Sequence, residues 1–391
     1  MKKSLIALAV LGAIAGAAQA QSSVTIYGIV DTGVTYSNKA LNTATGATGN
    51  KVEVNSGVVR GSRLGFKGAE DLGGGLKAVF QLETGFSNDT GALQSDKSNT
   101  GASTFFRRKS VVGLSGDTFG TILLGRQTDI ADDLSIWTSV ADFGGVTGNV
   151  GHNLNRLEGA RTQNSIRYNT LNLSGFTASA IYGFGETVGQ TAAGQSFGLG
   201  GQYANGPLAL FATYYQSKKG NKPSDVSLTN AAVFYAGNPG DIALKTFSVG
   251  ASYEAGPARI YGNWSRVKQP LATAAALNPL AAANGFSIGS FNNSRADIFE
   301  LGTNYMLTAP LHLLASIQYS KLSFVDVGSP KGKLTQFNLG TDYFLSKRTD
   351  LYAFASYLRA KNATNLGVMS GDSIGSNNSQ TAVSVGIHHK F

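Results

Sequence analysis

Charged side chains gather in one stretch of this chain. Residues 126–162 hold Asp129, Asp132, Asp133, Asp142 and Glu158, with Arg107 and Arg108 before them and Arg161 and Arg167 at the far end. The stretch begins where a strand-like segment, Thr121-Ile-Leu-Leu-Gly125, stops, and it ends where Asn164-Ser-Ile-Arg-Tyr168 starts. It carries no sustained apolar period of two. A connection this long inside an ordered chain is usually functional or disordered. Acids on it, set opposite arginines on a wall, would create a transverse field across the space between them. Arginine suits that task because it stays charged at any physiological pH and holds a planar shape. This is the chemistry of a selective passage. Bond-making chemistry has less support. The four histidines, His152, His312, His388 and His389, have no recognisable triad spacing. No zinc-ligand cluster or phosphate-cradling loop is present, and Gly73-Gly-Gly75 reads as a turn. Neither an enzyme nor a cofactor is expected.

Such a passage needs a wall. The chain has 391 residues, 50 of them glycine, with 21 Phe, 15 Tyr and no cysteine. That composition suggests many short strands and turns. Mean hydropathy is −0.04, and no apolar run after the N-terminus is long enough for a spanning helix. Barrel strands give a much weaker hydropathy signal, so a membrane location stays open. Residues 1–20 read as a signal peptide: Lys2 and Lys3, an apolar run over 5–18, and a small-residue cleavage site at Ala18-Gln-Ala20. The remaining 21–391 show no composition break and are expected to form one domain. The formal charge is +9, and losing two lysines with the leader would leave +7. The basic residues are spread along the chain without a basic helix or tail, so no nucleic-acid partner is expected.

From Ser22 onward the residues alternate. Phe247, Val249, Ala251 and Tyr253 take one face, and Ser248, Gly250 and Ser252 the other. Phe299, Leu301 and Tyr305 oppose Ile298, Glu300, Gly302 and Asn304; Val383, Val385 and Ile387 oppose Ser384, Gly386 and His388. A helix would scatter these residues around its axis, whereas a sheet between lipid and water sorts them. About sixteen such segments can be traced, a number that leaves an aqueous channel. Short connections such as Asn205-Gly-Pro207, Glu254-Ala-Gly-Pro257 and Thr308-Ala-Pro310 alternate with long ones near 37–56, 87–104, 127–162, 218–244, 269–294 and 361–379. All eight prolines fall in connections, as expected of a residue that cannot donate to a ladder. The expected fold is all-β: a transmembrane antiparallel barrel with its third long loop folded inward.

Several stretches carry a family likeness. Ser23-Val-Thr-Ile-Tyr-Gly-Ile-Val-Asp-Thr-Gly33, the run from Ser62 through the Glu70-Asp-Leu-Gly-Gly-Gly75 turn to Glu83, and Val112-Gly-Leu-Ser-Gly-Asp-Thr-Phe-Gly-Thr-Ile-Leu-Leu-Gly-Arg-Gln127 resemble the first five strands of the general porins of Gram-negative outer membranes. The resemblance is greatest to the β-proteobacterial and neisserial branch. It implies sixteen strands, a homotrimer and passive diffusion of small hydrophilic solutes and ions. Outer-membrane lipid and lipopolysaccharide would surround the barrel. The C-terminal Phe391 resembles the residue that the barrel-assembly machinery recognises.

The family pattern sets a basic cluster on the wall against acids on the inward loop. Arg63 matches its first arginine, and alternation with Leu64 and Phe66 points it inward. Arg108, preferred over its neighbour Arg107, matches the second. Arg161 resembles the third, with Arg167 in reserve. Asp129, Asp132, Asp133 and Glu158 are the candidate facing acids, although Asp129 could equally cap a short helix. Tyr27, Asp31 and Lys67 are expected to face the lumen. The expected function is a diffusion channel that prefers anions; the alternative is a channel specific for one anion, dicarboxylate or sugar.

Overall fold

The computed structural model describes residues 23–42, 45–94, 105–130, 161–218 except 187, 190 and 193, 243–268, 293–324, and 331–391 except 364, 370–374 and 376. The expected leader at 1–20 lies outside these residues. Seventeen strands form a single sheet. In chain order they are β1 (Ser23–Leu41), β2 (Thr48–Ser56), β3 (Arg63–Gly73), β4 (Leu76–Gly85), β5 (Lys109–Gly116), β6 (Gly120–Thr128), β7 (Arg161–Asn169), β8 (Phe176–Gly183) and β9 (Ser196–Asn205). They continue with β10 (Leu208–Lys218), β11 (Ala243–Ala255), β12 (Ala258–Lys268), β13 (Asn293–Met306), β14 (Leu311–Phe324), β15 (Gly332–Phe344), β16 (Thr349–Lys361) and β17 (Ser379–Lys390).

Those seventeen strands fill sixteen positions in the wall. The upper half of β1 pairs with β2, from Thr32↔Ser56 to Leu41↔Thr48, and its lower half pairs with β3, from Ile29↔Arg63 to Ser23↔Ala69. β2 and β3 are therefore one wall strand interrupted by residues 57–62. This corrects one expectation. Residues 37–56 are mostly strand rather than a long connection. The mixed polarity of 37–56 hid its period. On its other edge β1 pairs with β17, from Ile29↔Lys390 to Ser37↔Ala382, which closes the sheet on itself. Closure leaves no strand edge unpaired, the condition for crossing lipid with strands. None of the described helices is long and apolar enough to cross a membrane.

The two faces are sorted in reverse of a water-soluble protein. Leu339 is 66% exposed and Val385 52%, while the neighbouring Asn338 is 4% exposed and Ser384 is fully covered. An outward apolar face suits lipid, not water. Short turns gather at one end. β9–β10 and β11–β12 are joined by Gly206-Pro207 and Gly256-Pro257, with glycine φ of +56° and +60°. A two-residue hairpin whose first central residue has positive φ matches the right-handed twist of its strands, and glycine adopts it without strain. Long connections lie at the opposite end.

The seam ends on Phe391. Its amide donates to the Gly28 carbonyl at 3.1 Å and its carbonyl accepts from the Gly28 amide at 3.0 Å. The Phe391 ring occupies the space that a side chain on Gly28 would need. Gly28→Leu is therefore expected to displace the ring and loosen the seam, costing roughly 1–3 kcal/mol of overpacking. Thermal unfolding in detergent checks this, and Gly28→Ala should fall between the two.

At the long-connection end the inner wall is apolar. Val267, Ile298, Leu322, Leu334 and Leu358 form a buried cluster with Val368 and Met369 from the connection after β16. Gln336 Nε2 donates to the Val368 carbonyl at 3.1 Å, and the Val368 amide donates to Gln380 Oε1 at 3.0 Å. The last long connection is thus clipped inside the barrel mouth.

Candidate functional site

Asp31 organises the charged wall. It is fully buried on the inner side of β1. Its carboxylate accepts from the amides of Val58 (3.1 Å), Val59 (3.0 Å) and Arg60 (2.6 Å), and from the Tyr352 hydroxyl (2.9 Å). Its own amide donates to Ser62 Oγ at 3.1 Å. The expectation that Asp31 faces the lumen is corrected in one respect: it points inward, but residues 57–62 cover it. Alternation gives a side chain's direction and cannot show what lies over it.

The covering segment positions arginines. The Gly61 carbonyl accepts from Arg63 Nε at 2.9 Å, and an added Cβ on Gly61 would lie 3.2 Å from an Arg108 guanidinium nitrogen. Arg108 Nε donates to Glu83 Oε1 at 2.5 Å, and an Arg63 guanidinium nitrogen lies 3.9 Å from the same oxygen. The other carboxylate oxygen, Oε2, accepts from the Tyr27 hydroxyl at 2.9 Å, and that hydroxyl accepts from Gln81 Nε2 at 2.5 Å. Tyr27 reaches Glu83 by lying across Gly65, its partner in the ladder, where any side chain would collide with the ring. Lys67 is exposed, with its ammonium 5.5 Å from the Tyr27 ring centroid. Lys109 shares the Glu83 face through direct pairing.

Glu83 is the acid that the sequence reading missed. It shares parity with Lys77 and Gln81, opposite Phe80 and Leu82, so alternation could have found it. Arg108 is different. It precedes β5, so strand parity does not orient it, and only the contact with Glu83 places it with Arg63.

The other candidates lie apart from this cluster. Arg167 is buried, donating from Nε to Asn169 Oδ1 at 2.9 Å and from its terminal nitrogens to the Thr128 carbonyl and Ser179 Oγ, both at 3.4 Å. Arg161 is buried opposite Thr128, where β6 and β7 open. Asp129 is fully buried there as well. The next residue, Ile130, is fully covered and packs with Ile181 and Tyr215, which line the inner wall. Residues 129 and 130 are thus packed on the inner side of the wall. Asp132, Asp133, Glu158 and the rest of that loop lie outside the described residues. Three of the four histidines are hydrogen-bonded to wall groups: His388 to Asp350 (2.7 Å), His312 to Asn304 (3.1 Å) and His389 to Thr349 (2.9 Å). His152 is outside the described residues.

An outward apolar band, a closed antiparallel sheet and an inner wall that carries buried polar groups and clustered arginines define a membrane channel of the β-barrel class. The chain belongs to the Gram-negative porin family, whose model matches residues 7–363. It is 34% identical over 405 residues to outer membrane porin protein 32 of Delftia acidovorans, and 32% identical over 422 residues to an outer membrane porin protein of Bordetella pertussis. Both alignments cover 100% of each chain. Among solved structures, an anion-selective porin from Comamonas acidovorans superposes with a TM-score of 0.69 at 29% identity, covering 95% of this chain and 100% of that one. The protein is an outer-membrane porin, a channel for passive diffusion of small hydrophilic solutes.

Proposed function

We propose that this channel favours anions and that Arg63 and Arg108 set the preference. The observation that carries this reading is the wall cluster itself. Two arginines share the single carboxylate of Glu83, and Lys67 and Lys109 lie on the neighbouring inner face. The local balance of fixed charge is positive, and fixed charge at a narrow zone sorts ions. Similarity to a porin described as anion-selective points the same way. Asp132, Asp133 and Glu158 are the acids proposed to face the arginines from the inward loop, with Asp129, Arg161 and Arg167 at its base. The mature chain is proposed to begin after residue 20 and to assemble as a homotrimer. Phe391 would serve as the signal for the barrel-assembly machinery, and no enzymatic activity is part of this reading.

The test is conductance in a planar bilayer under a salt gradient. The wild-type channel should give a reversal potential of the sign for anion preference. A cation-preferring sign would overturn the selectivity while leaving the channel intact. Preference should weaken as salt rises from 0.1 to 1 M, since screening shortens to about 3 Å.

A further inference from the structure

The inner wall carries a second set of charges, of the opposite sign. Asp342 on β15 and Asp350 on β16 lie near the short-turn ends of their strands. Asp342 stands directly opposite inward Tyr352, and Asp350 opposite buried His388. The two carboxyl groups are in hydrogen-bonding contact with each other. Asp350 Oδ2 also lies 2.7 Å from His388 Nδ1, while Asp342 Oδ1 is covered without a hydrogen-bond partner among the described residues. Two acids held together make this stretch of wall repel anions unless positive charge stands near it.

Residues 57–62 lie between these acids and the arginine cluster. Val58 and Val59 form a buried group with Leu314, Tyr352 and Phe354, so the segment crosses the inner face from β1 as far as β14. On one side, Gly61 borders Arg63 and Arg108. On the other, Arg60 and Lys390 are the cations that act on Asp342. Lys390 is exposed at the last position of β17, whereas Arg60 is half-buried inside the barrel. The Arg60 amide is fixed on Asp31 Oδ2 at 2.6 Å, so its backbone is anchored without help from the side chain. Arg63 and Arg108 share Glu83, but the Arg60 guanidinium makes no ion pair or hydrogen bond among the described residues. A cation without a close carboxylate keeps more of its field for a passing ion. We propose that Arg60 is a selectivity-determining residue of the channel. It offsets the Asp342–Asp350 pair, so that small inorganic and carboxylate anions meet no net negative wall beside residues 57–62. The proposal rests on the anion-preference reading and deepens it.

The test is the reversal potential of the reconstituted channel in a potassium chloride gradient at about pH 8.5, well above the usual carboxyl range. Arg60→Gln should move the anion-to-cation permeability ratio toward cations by about threefold, the effect of one unit charge about 6 Å from an ion in water. Arg60→Lys keeps the charge and should match wild type. Asp342→Asn should move the ratio toward anions, and Arg60→Gln combined with Asp342→Asn should return it close to wild type. That compensation separates charge from shape, because a segment deformed by losing Arg60 would not be repaired by neutralising Asp342. Arg60→Gln should also melt at the wild-type temperature in detergent, since the backbone amide makes the Asp31 contact. An unshifted ratio in Arg60→Gln, or a shift that Asp342→Asn leaves uncorrected, would overturn the proposal. Should Arg60→Gln fail to fold, the ratio in Asp342→Asn decides, and no movement toward anions would overturn it too. The wild-type sign is a separate matter: a cation-preferring wild type would sink the anion reading, yet Arg60→Gln should still deepen the cation preference.

Discussion

Arg63→Glu combined with Arg108→Glu is expected to turn an anion-preferring channel into a cation-preferring one. The two changes alter the fixed charge beside Glu83 by four units in total. A unit charge about 6 Å from a permeating ion contributes roughly 0.7 kcal/mol in water. The swap therefore moves the balance between a monovalent anion and cation by several kcal/mol before screening, and the anion-to-cation permeability ratio should fall at least about tenfold. The measurement is the reversal potential across a bilayer under a salt gradient. The swap also leaves Glu83 among carboxylates, having lost a hydrogen bond that is 2.5 Å long in wild type. A fold defect could then mask the effect. Arg63→Gln with Arg108→Gln removes the charge without adding acids and should move the reversal potential the same way by a smaller amount. An unchanged potential in both variants would show that another part of the wall sets selectivity.

Asp31→Ala should have the largest effect on stability. It removes one carboxylate that accepts four hydrogen bonds, three from the amides of Val58, Val59 and Arg60 and one from the Tyr352 hydroxyl. An unmet buried donor costs about 1–3 kcal/mol, so a loss of several kcal/mol is expected. That is a large fraction of the roughly 5–15 kcal/mol that holds a typical domain together. Residues 57–62 would come free, and with them the Gly61 carbonyl that holds Arg63 Nε at 2.9 Å. The variant should unfold at lower temperature in detergent and, where it still folds, show weaker ion selectivity. Asp31→Asn keeps one carbonyl acceptor and should be intermediate. Wild-type melting together with wild-type selectivity in Asp31→Ala would mean that the carboxylate does not anchor the segment.

Both variants act through an inner-wall arrangement that was only partly readable beforehand. Arg63 was legible because it opens β3 just before outward Leu64 and Phe66, so period two fixed its direction. Arg108 was not, since it lies just outside β5, where backbone alternation has no hold. Glu83 was legible in principle but lay outside the charged stretch at 126–162 that drew the reading. The acids proposed on the inward loop have no strand to orient them at all.

What the sequence determined by itself is the wall. Side chains that alternate along a strand must sort to opposite faces, and prolines must fall where pairing stops; both are local rules. The strands and their outward apolar band follow from them. Tertiary structure alone decided what each inward group touches. Nothing local says that β2 and β3 share one wall position, that Asp31 is covered by residues 57–62, or that Phe391 closes over Gly28. These contacts join residues far apart in the chain, and their partners are fixed only when the sheet closes and sets the register.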